Sequence, residues 1–232
     1  MALYHNEQNG LFVDVAAQSQ IGRSTLLTLG FGCFFFDYDL DGWPDIYAAN
    51  GHIDPDIEKI QKTVHYAEPA HLFHNLGNGQ FRNVTQEIGG SFAAPRVARG
   101  AAYGDINNDG SQDIVVTTNG GSPALFRNSG STNHGLRIKL VGTKSNRDGI
   151  GAVVFVKAGQ LAQKSMMRSG SSYLSSSELV LTFGVGQATK ADAIEVYWPS
   201  GAVDKLSAID ADKVLTIKEG SGVVAQKPFA TH

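Results

Sequence analysis

The chain has 232 residues, of which 42% are hydrophobic and 18% charged, and its formal net charge is −3. This composition can support a sizeable buried core and excludes a disordered chain, while the small net charge gives no general attraction to nucleic acid. The single cysteine, Cys33, excludes an intrachain disulfide framework and a multi-cysteine zinc site, and no apolar run is long enough to predict a membrane span.

The first half of the chain has the pattern of short strands joined by tight turns. Alternating or aromatic runs bounded by Gly, Asn and Asp predict strands, and only DIEKIQK, in residues 56–62, has a weakly helical pattern. The predicted strands lie at residues 31–36, 45–49, 80–84, 101–103 and 113–117.

Two motifs of this half recur with nearly the same period. LYHNEQNGLFVDV from Leu3 matches LFHNLGNGQFRNV from Leu72, an offset of 69, and FDYDLDGWPDIY from Phe36 matches GDINNDGSQDIV from Gly104, an offset of 68. A third LFRN begins at Leu125. We therefore predict a repeated unit of strands and loops, with an insertion near residues 51–70 in the first copy.

The second half has a different organisation. Its six apolar runs predict further strands without aspartate loops. Residues 1–130 carry 7 basic and 14 acidic side chains, whereas residues 131–232 carry 12 and 8, so charge is also divided between the halves. We predict an all-β protein with repeats in 1–130, a second β domain in 131–220 and a frayed tail in 221–232. The predicted strands are LRIKLVG, AVVFVKAG, LAQKSMMRSG, ELVLTFG, AIEVYWPSG and VLTIKEG.

The clearest chemical signal is a pair of aspartate loops. Each places oxygen side chains at positions 1, 3, 5 and 9 and a glycine at position 6, which lets the chain wrap around a hard cation. A backbone carbonyl at position 7 is expected to complete each cage, and carboxylates at this density would repel one another without a cation. We expect two Ca²⁺ sites. The predicted ligands are Asp37, Asp39, Asp41, Trp43 and Asp45 in the first aspartate loop, and Asp105, Asn107, Asp109, Ser111 and Asp113 in the second.

Neither loop is an EF-hand, because position 12 is Ala48 in one and Val116 in the other, where an EF-hand has a bidentate glutamate. The alternative is that both are ordinary hairpin turns with solvated carboxylates. Two copies in register favour metal binding over that alternative.

The loops and their flanking strands resemble a known repeat family. GCFFFDYDLDGWPDIYAANG and GAAYGDINNDGSQDIVVTTNGG resemble FG-GAP/VCBS repeats, the blades of integrin-like β-propellers. In the second half, KSNRDGIGAVVFV, SGSSYLSS, LTFGVGQA and VYWPSG resemble the ASPIC/UnbV domain, and the pairing is similar to that of the cartilage acidic protein and bacterial UnbV families. The resemblance implies partial propeller blades followed by a small ASPIC/UnbV domain.

This resemblance implies a calcium-binding, extracellular-type interaction or adhesion module without catalytic activity of its own, located outside the cell or in the periplasm. The start MALYHNEQNG lacks the pattern of a signal peptide. Propellers usually need four to eight blades, and this chain has about two and the start of a third. We expect either the remainder of a longer chain or a homo-oligomer, with a protein or polysaccharide ligand.

The insertion supports a second hypothesis. It concentrates histidines and carboxylates where the repeat needs none, which would suit a metal or acid/base site in a carbohydrate-active enzyme of lyase or dehydratase type. No fixed spacing supports it, so a solvated polar loop is the alternative. The candidate residues are His52, Asp54, Asp56, His65 and His71.

Overall fold

The structure is a computed structural model that describes residues 1–230, and it confirms the all-β prediction. The first half contains three antiparallel sheets of two, four and three strands, in the orders β1-β2, β3-β4-β5-β6 and β7-β8-β9. Their strands are β1 (Tyr4–Asn6), β2 (Phe12–Asp14), β3 (Gly30–Phe36), β4 (Asp45–Asn50), β5 (His71–Asn75), β6 (Phe81–Asn83), β7 (Ala98–Gly104), β8 (Asp113–Thr118) and β9 (Ala124–Phe126).

The second half consists of two four-stranded sheets packed face to face, in the orders β13-β10-β16-β17 and β12-β11-β14-β15. All neighbours are antiparallel except β10 and β16, which run parallel with Ile138 opposite Leu215. Both residues are fully buried in the core between the sheets. The strands are β10 (His134–Val141), β11 (Val153–Ala158), β12 (Leu161–Met166), β13 (Leu181–Gly186), β14 (Lys190–Tyr197), β15 (Val203–Asp210), β16 (Lys213–Lys218) and β17 (Gly222–Pro228).

Helical structure in residues 1–230 is limited to four single turns. Only the one in the insertion was predicted, because a four-residue helix is too short to show a 3.6-residue apolar period. The helices are α1 (Ile21–Ser24), α2 (Ile57–Ile60), α3 (Thr85–Ile88) and α4 (Gly90–Ala93).

The prediction of a frayed tail is wrong for most of that segment. β17 pairs with β16, with Ala225 opposite Thr216, and the Phe229 N–H donates to the Asp212 carbonyl at 2.9 Å. These residues lack a clear alternating pattern, since most of β17 is exposed and its main-chain hydrogen bonds hold it in place. Thr231 and His232, the end of the predicted tail, lie outside the described residues.

The two halves pack against each other through an extended interface. The edge strands β12 and β13 face the first half, where the Gly186 N–H donates to the Leu40 carbonyl at 3.0 Å. The serine-rich segment 169–177 lies along β3 and β7, and its Ser172 and Ser177 hydroxyls accept backbone N–H bonds from those strands. The first half is therefore positioned directly by the second.

Glu219, at the end of β16, joins two loops of the second half. Its carboxylate accepts backbone N–H bonds from Thr143, Lys144 and Ser145 at 2.6, 2.8 and 2.8 Å and a hydroxyl bond from Ser200. Burial opposes ionisation, but these hydrogen bonds outweigh it and hold the pKa of Glu219 well below its ordinary value. The carboxylate thus holds the 143–145 turn against the turn after β14.

We expect Glu219→Gln to lower the melting temperature at pH 7, because the amide cannot accept this many donors. A lowered pKa contributes stability that is present above the unfolded pKa, near 4.5, and is lost as pH falls further. The difference between the wild type and the variant should therefore shrink below about pH 4. Thermal unfolding at pH 7 and pH 3 tests this, with Glu7→Gln, at an exposed position of the β1-β2 hairpin, as control. Equal melting temperatures at pH 7 would contradict the prediction.

Candidate metal centre

The first aspartate loop connects β3 to β4, and hydrogen bonds from backbone to side chain fix its shape. The Asp37 carboxylate accepts N–H bonds from Asp41 at 3.1 Å and Gly42 at 2.9 Å. Asp45 accepts an N–H bond at 2.8 Å from Asn75, on β5. Gly42 has a φ of 90°, a conformation that favours glycine, which explains its place at position 6.

The second aspartate loop, between β7 and β8, has the same design. Asp105 accepts N–H bonds from Asp109 at 3.2 Å and Gly110 at 2.8 Å, and Asp113 accepts one from Asn128 at 2.8 Å. Gly110 has a φ of 93°. The two loops thus repeat one another in local structure as well as in sequence.

Position 5 of each loop turns back onto position 7. Asp41 accepts the Trp43 N–H and Asp109 accepts the Ser111 N–H, both at 2.8 Å. Asn107, at position 3 of the second loop, donates its side-chain amide to Asp109 at 2.6 Å. One oxygen of Asp109 therefore accepts a hydrogen bond from the Asn107 amide. The first loop has Asp39 at the position of Asn107, and a carboxylate cannot donate such a bond.

The first loop gathers its carboxylates at metal-ligand distances. One oxygen each from Asp37, Asp39 and Asp45 lie within 4.8 Å of one another. A second group of the same compactness joins Asp39 and Asp41 to a ring nitrogen of His74. The His74 Nδ1 atom lies 3.3 Å from Asp45 Oδ1 and 3.5 Å from Asp39 Oδ2. Asp39 is common to both groups.

Crowding and burial disfavour ionisation of these carboxyls. Burial, with the nearby charge of Asp41, raises the pKa of Asp37 to about 7. Burial, with the charges of Asp39 and Asp37, raises the pKa of Asp45 to about 9. Burial also raises the pKa of Asp41. A divalent cation would relieve this repulsion, and hard carboxylate oxygens are the donors that Ca²⁺ prefers, so the first loop fits that ion.

The second loop differs because a cation from the other half reaches it. Arg137, on β10, has a side chain only 3% exposed, and its Nη1 atom lies 3.0 Å from Asp105 Oδ2. The same guanidinium also pairs with Glu178. Within residues 1–230, no aspartate of the second loop belongs to a compact metal-type group. The guanidinium supplies positive charge at the aspartate that corresponds to Asp37.

Comparison with known families agrees with this architecture. The FG-GAP-like repeat family matches residues 63–116, from the end of the insertion through the second aspartate loop, and the ASPIC and UnbV family matches residues 142–224. The chain combines an FG-GAP-like repeat with an ASPIC/UnbV domain. No curated protein matches the chain.

The FG-GAP-like match covers β5, β6, β7 and most of β8, whereas the first aspartate loop precedes it. The ASPIC/UnbV match covers β11 to β16 and the start of β17. FG-GAP-like repeats are typical of extracellular proteins and suggest an extracellular interaction module. Residues 1–230 contain no helix with the length and apolar character required to cross a bilayer.

The insertion does not bring its predicted residues together. His52 accepts the Asp54 N–H at 3.1 Å, and Asp56 pairs with Lys59 at 2.9 Å on the surface. His65 Nδ1 lies 3.1 Å from Glu58 Oε1, and both side chains are more than half exposed. Within the described part of the chain, these residues form no group compact enough to hold a metal ion.

His71, the last of that set, has a structural role on β5. Asn83 donates its amide to Nδ1 at 3.0 Å, and Thr28 Oγ1 lies 3.0 Å from Nε2. Burial lowers the pKa of His71 to about 4, so the ring is neutral at physiological pH. Both nitrogens are engaged, which leaves none for a metal or a substrate. The candidate residues of the enzyme hypothesis therefore do not converge in the described structure.

Two charged or titratable residues beside the loops were not predicted as part of the site. His74, the histidine of LFHN, is not among the predicted ligands, yet it lies against the carboxylates of the first loop. The sequence does mark this position, since His5 and His74 share one place in the repeat and Arg127 occupies it in the third copy, so a group that can carry positive charge recurs there. Arg137 carried no such signal, because it belongs to the ASPIC/UnbV half and reaches the second loop only through the fold.

Proposed function

We propose that this protein is a calcium-stabilised interaction module of extracellular type, with Ca²⁺ held by the aspartate loops. The observation that carries the proposal is the compact group of Asp37, Asp39 and Asp45, two of which have strongly raised pKa values. Asp41 and the backbone carbonyl of Trp43 would complete the oxygen ligands. This donor set is suited to a hard divalent cation.

Calcium at the first loop would stabilise the contact between the two halves as well as the loop. The Gly184 N–H of β13 donates to Asp37 at 3.2 Å, and the Asn133 side chain donates to the Asp39 carbonyl at 2.9 Å. A cation that orders Asp37 and Asp39 therefore also orders the residues that hold the ASPIC/UnbV domain. Its structural role is to fix the relative orientation of the halves.

The second loop should bind Ca²⁺ more weakly than the first. Arg137 already neutralises part of the charge of Asp105, and a second cation nearby would be repelled by the guanidinium. The ligands proposed there are Asp105, Asn107, Asp109, Asp113 and the carbonyl of Ser111. We thus propose two sites of unequal affinity.

Calcium titration of the whole chain tests the proposal. At about 100 times the dissociation constant, Ca²⁺ should stabilise the protein by roughly 2.7 kcal/mol, which corresponds to a rise in melting temperature of about 5–10 °C. Asp39→Asn should reduce the affinity of the tighter site, because Asp39 belongs to both compact groups. Asp148→Asn changes a surface aspartate that belongs to neither loop and pairs with Arg147, and it is the matched control.

Isothermal titration calorimetry with CaCl₂ and MgCl₂ gives the affinities directly. We expect Ca²⁺ to bind more tightly than Mg²⁺, since Mg²⁺ requires smaller octahedral geometry. A melting temperature indifferent to both Ca²⁺ and chelator would overturn the proposal. So would an Asp39→Asn variant with unchanged calcium affinity.

The binding partner is proposed to be a protein or a polysaccharide. Large apolar side chains are exposed on the β1-β2 hairpin, including Tyr4, Leu11 and Phe12 at 63–64%. Exposed apolar surface beside a short sheet favours association with a partner protein.

A further inference from the structure

A cavity of about 500 Å³ lies between the two halves, beside the first aspartate loop. Its walls come from β3 and the loop on one side and from β12 and β13 on the other. This volume is in the range of about 300–1,000 Å³ that is usual for small-molecule sites. Neither the metal loops nor the packing of the two halves requires a cavity of this size.

Three polar side chains on its walls have atoms without a hydrogen-bond partner among residues 1–230. These atoms are Gln112 Oε1, Glu178 Oε1 and Thr182 Oγ1, and each is buried. Gln112 is only 3% exposed, so bulk water does not reach most of its surface. Buried polar atoms are almost always satisfied by protein, water or ligand, so this set indicates a hydrogen-bonding occupant.

Aromatic surface adjoins these polar atoms. Phe35 and Trp43 line the cavity, and their side chains are 46% and 44% exposed although both are large and apolar. The Trp43 ring lies against Gly77, where a Cβ atom would come within 2.9 Å of the indole, so the ring is held in place. A fixed aromatic face beside hydrogen-bond acceptors suits a ligand with both C–H and hydroxyl surface.

The charges on the walls favour an uncharged ligand. Arg168 contributes a positive charge to the walls and Asp37 a carboxyl group, whereas the Lys164 ammonium lies 5.4 Å from the ring of Phe155, which does not line the cavity. The carboxylate of Glu178 is paired with Arg137. A cavity with matched charges offers no net attraction to an anion or a cation.

We propose that this cavity binds a neutral sugar or a related polyol. Hydroxyl groups would donate to Gln112 and Glu178, the Thr182 hydroxyl would donate or accept, and the C–H face would lie on Trp43 or Phe35. The inference deepens the proposed function, on which it rests, by naming the ligand class of the interaction module. The sugar would be bound at the boundary between the two halves.

Saturation-transfer NMR followed by calorimetry on the calcium-saturated full chain tests the site. The probes are glucose, galactose, mannose, maltose and cellobiose, with glucuronate and glucosamine as charged comparators. We expect at least one neutral sugar to bind more tightly than its charged counterpart. Trp43→Ala should weaken that binding about tenfold and Gln112→Met about fivefold.

Phe155→Ala is the matched control, since it removes a partly exposed aromatic side chain that does not line the cavity. Trp43→Ala keeps the backbone carbonyl proposed for calcium and changes a half-exposed side chain, so it remains informative where Gln112→Met fails to fold. Absence of binding by every neutral probe would overturn the inference. Binding that both cavity variants leave unchanged, or tighter binding of glucuronate, would do the same.

Calcium stabilisation measured on the same samples separates the two proposals. A protein that is stabilised by Ca²⁺ yet binds no neutral sugar overturns only the sugar site. A protein that binds sugar through Trp43 but is indifferent to Ca²⁺ overturns the metal proposal and leaves the cavity assignment intact.

Discussion

Arg137→Met should lower the free energy of unfolding by about 3–5 kcal/mol, the usual cost of removing one partner from a buried ion pair. The substitution keeps most of the apolar volume but leaves two carboxylates without their cation. Asp105 has a fully buried side chain, and Glu178 is 19% exposed. Burial already raises the pKa of Glu178, and Arg137 is the group that opposes that rise.

Urea denaturation of the calcium-free protein at pH 7 measures this loss. The double variant Arg137→Met/Glu178→Gln should recover part of it, since it removes one of the two unpaired charges. Arg147→Met is the matched control, because Arg147 pairs with Asp148 on the surface and exposed ion pairs contribute little to stability. A loss below about 1 kcal/mol for Arg137→Met would show that the buried pair does not hold the halves together.

The same variant also tests the unequal metal sites. Without the guanidinium, the second aspartate loop regains the charge that Ca²⁺ needs, so added Ca²⁺ should stabilise Arg137→Met more than it stabilises the wild type. A larger calcium-induced rise in melting temperature for the variant would indicate that Arg137 and Ca²⁺ compete for Asp105. An equal rise would contradict that competition.

The repeat made the first half predictable. Asp37 and Asp105, with the glycines five residues later, recur at the same offset. The same turn conformation is therefore expected in both copies. The N–H bonds that these two aspartates accept from the residues four and five positions later are local and depend little on tertiary context. For such features, residue type and spacing determine the conformation.

Interactions between the halves could not be predicted in the same way. Arg137 and Asp105 are 32 residues apart, and Asp37 meets Gly184 across 147 residues. Nothing in local composition specifies those pairs. The cavity between the halves depends on the same long-range packing, so the sequence did not predict that Gln112 and Trp43 line one cavity.

Weak patterns account for the remaining errors. β15 and β17 are largely exposed strands whose apolar and polar side chains do not alternate cleanly. Hydrophobic periodicity therefore did not predict β15, and it did not predict that part of the tail forms β17. In the insertion the error was the reverse, because a site was predicted where the residues do not come together. Its histidines are near one another in sequence, but His71 belongs to a buried strand while His65 lies on the surface, so proximity along the chain did not produce a site.

Metal removal should make stability fall as pH rises from 5 to 8.5. Folded, metal-free Asp37 and Asp45 have pKa values of about 7 and 9, so they keep protons that the unfolded chain releases near pH 4. A raised carboxyl pKa contributes stability below the unfolded pKa, and that contribution is lost as pH rises through the folded pKa. At about 1.4 kcal/mol per unit, Asp37 alone predicts a loss of roughly 2–3 kcal/mol over this window.

Calcium should cancel this loss, because a bound cation favours the ionised carboxylates and competes with their protons. The stabilisation by Ca²⁺ is therefore expected to be largest at pH 8.5 and smallest at pH 5. Calorimetric melting of desalted, chelator-treated protein with and without CaCl₂ measures both trends, and metal-free Asp37→Asn should show a weaker pH dependence. Glu219 cannot produce the effect, since its lowered pKa acts below about pH 4.5 and with the opposite sign. A metal-free protein more stable at pH 8.5 than at pH 5 would mean that the first loop does not carry the electrostatic strain on which the calcium proposal rests.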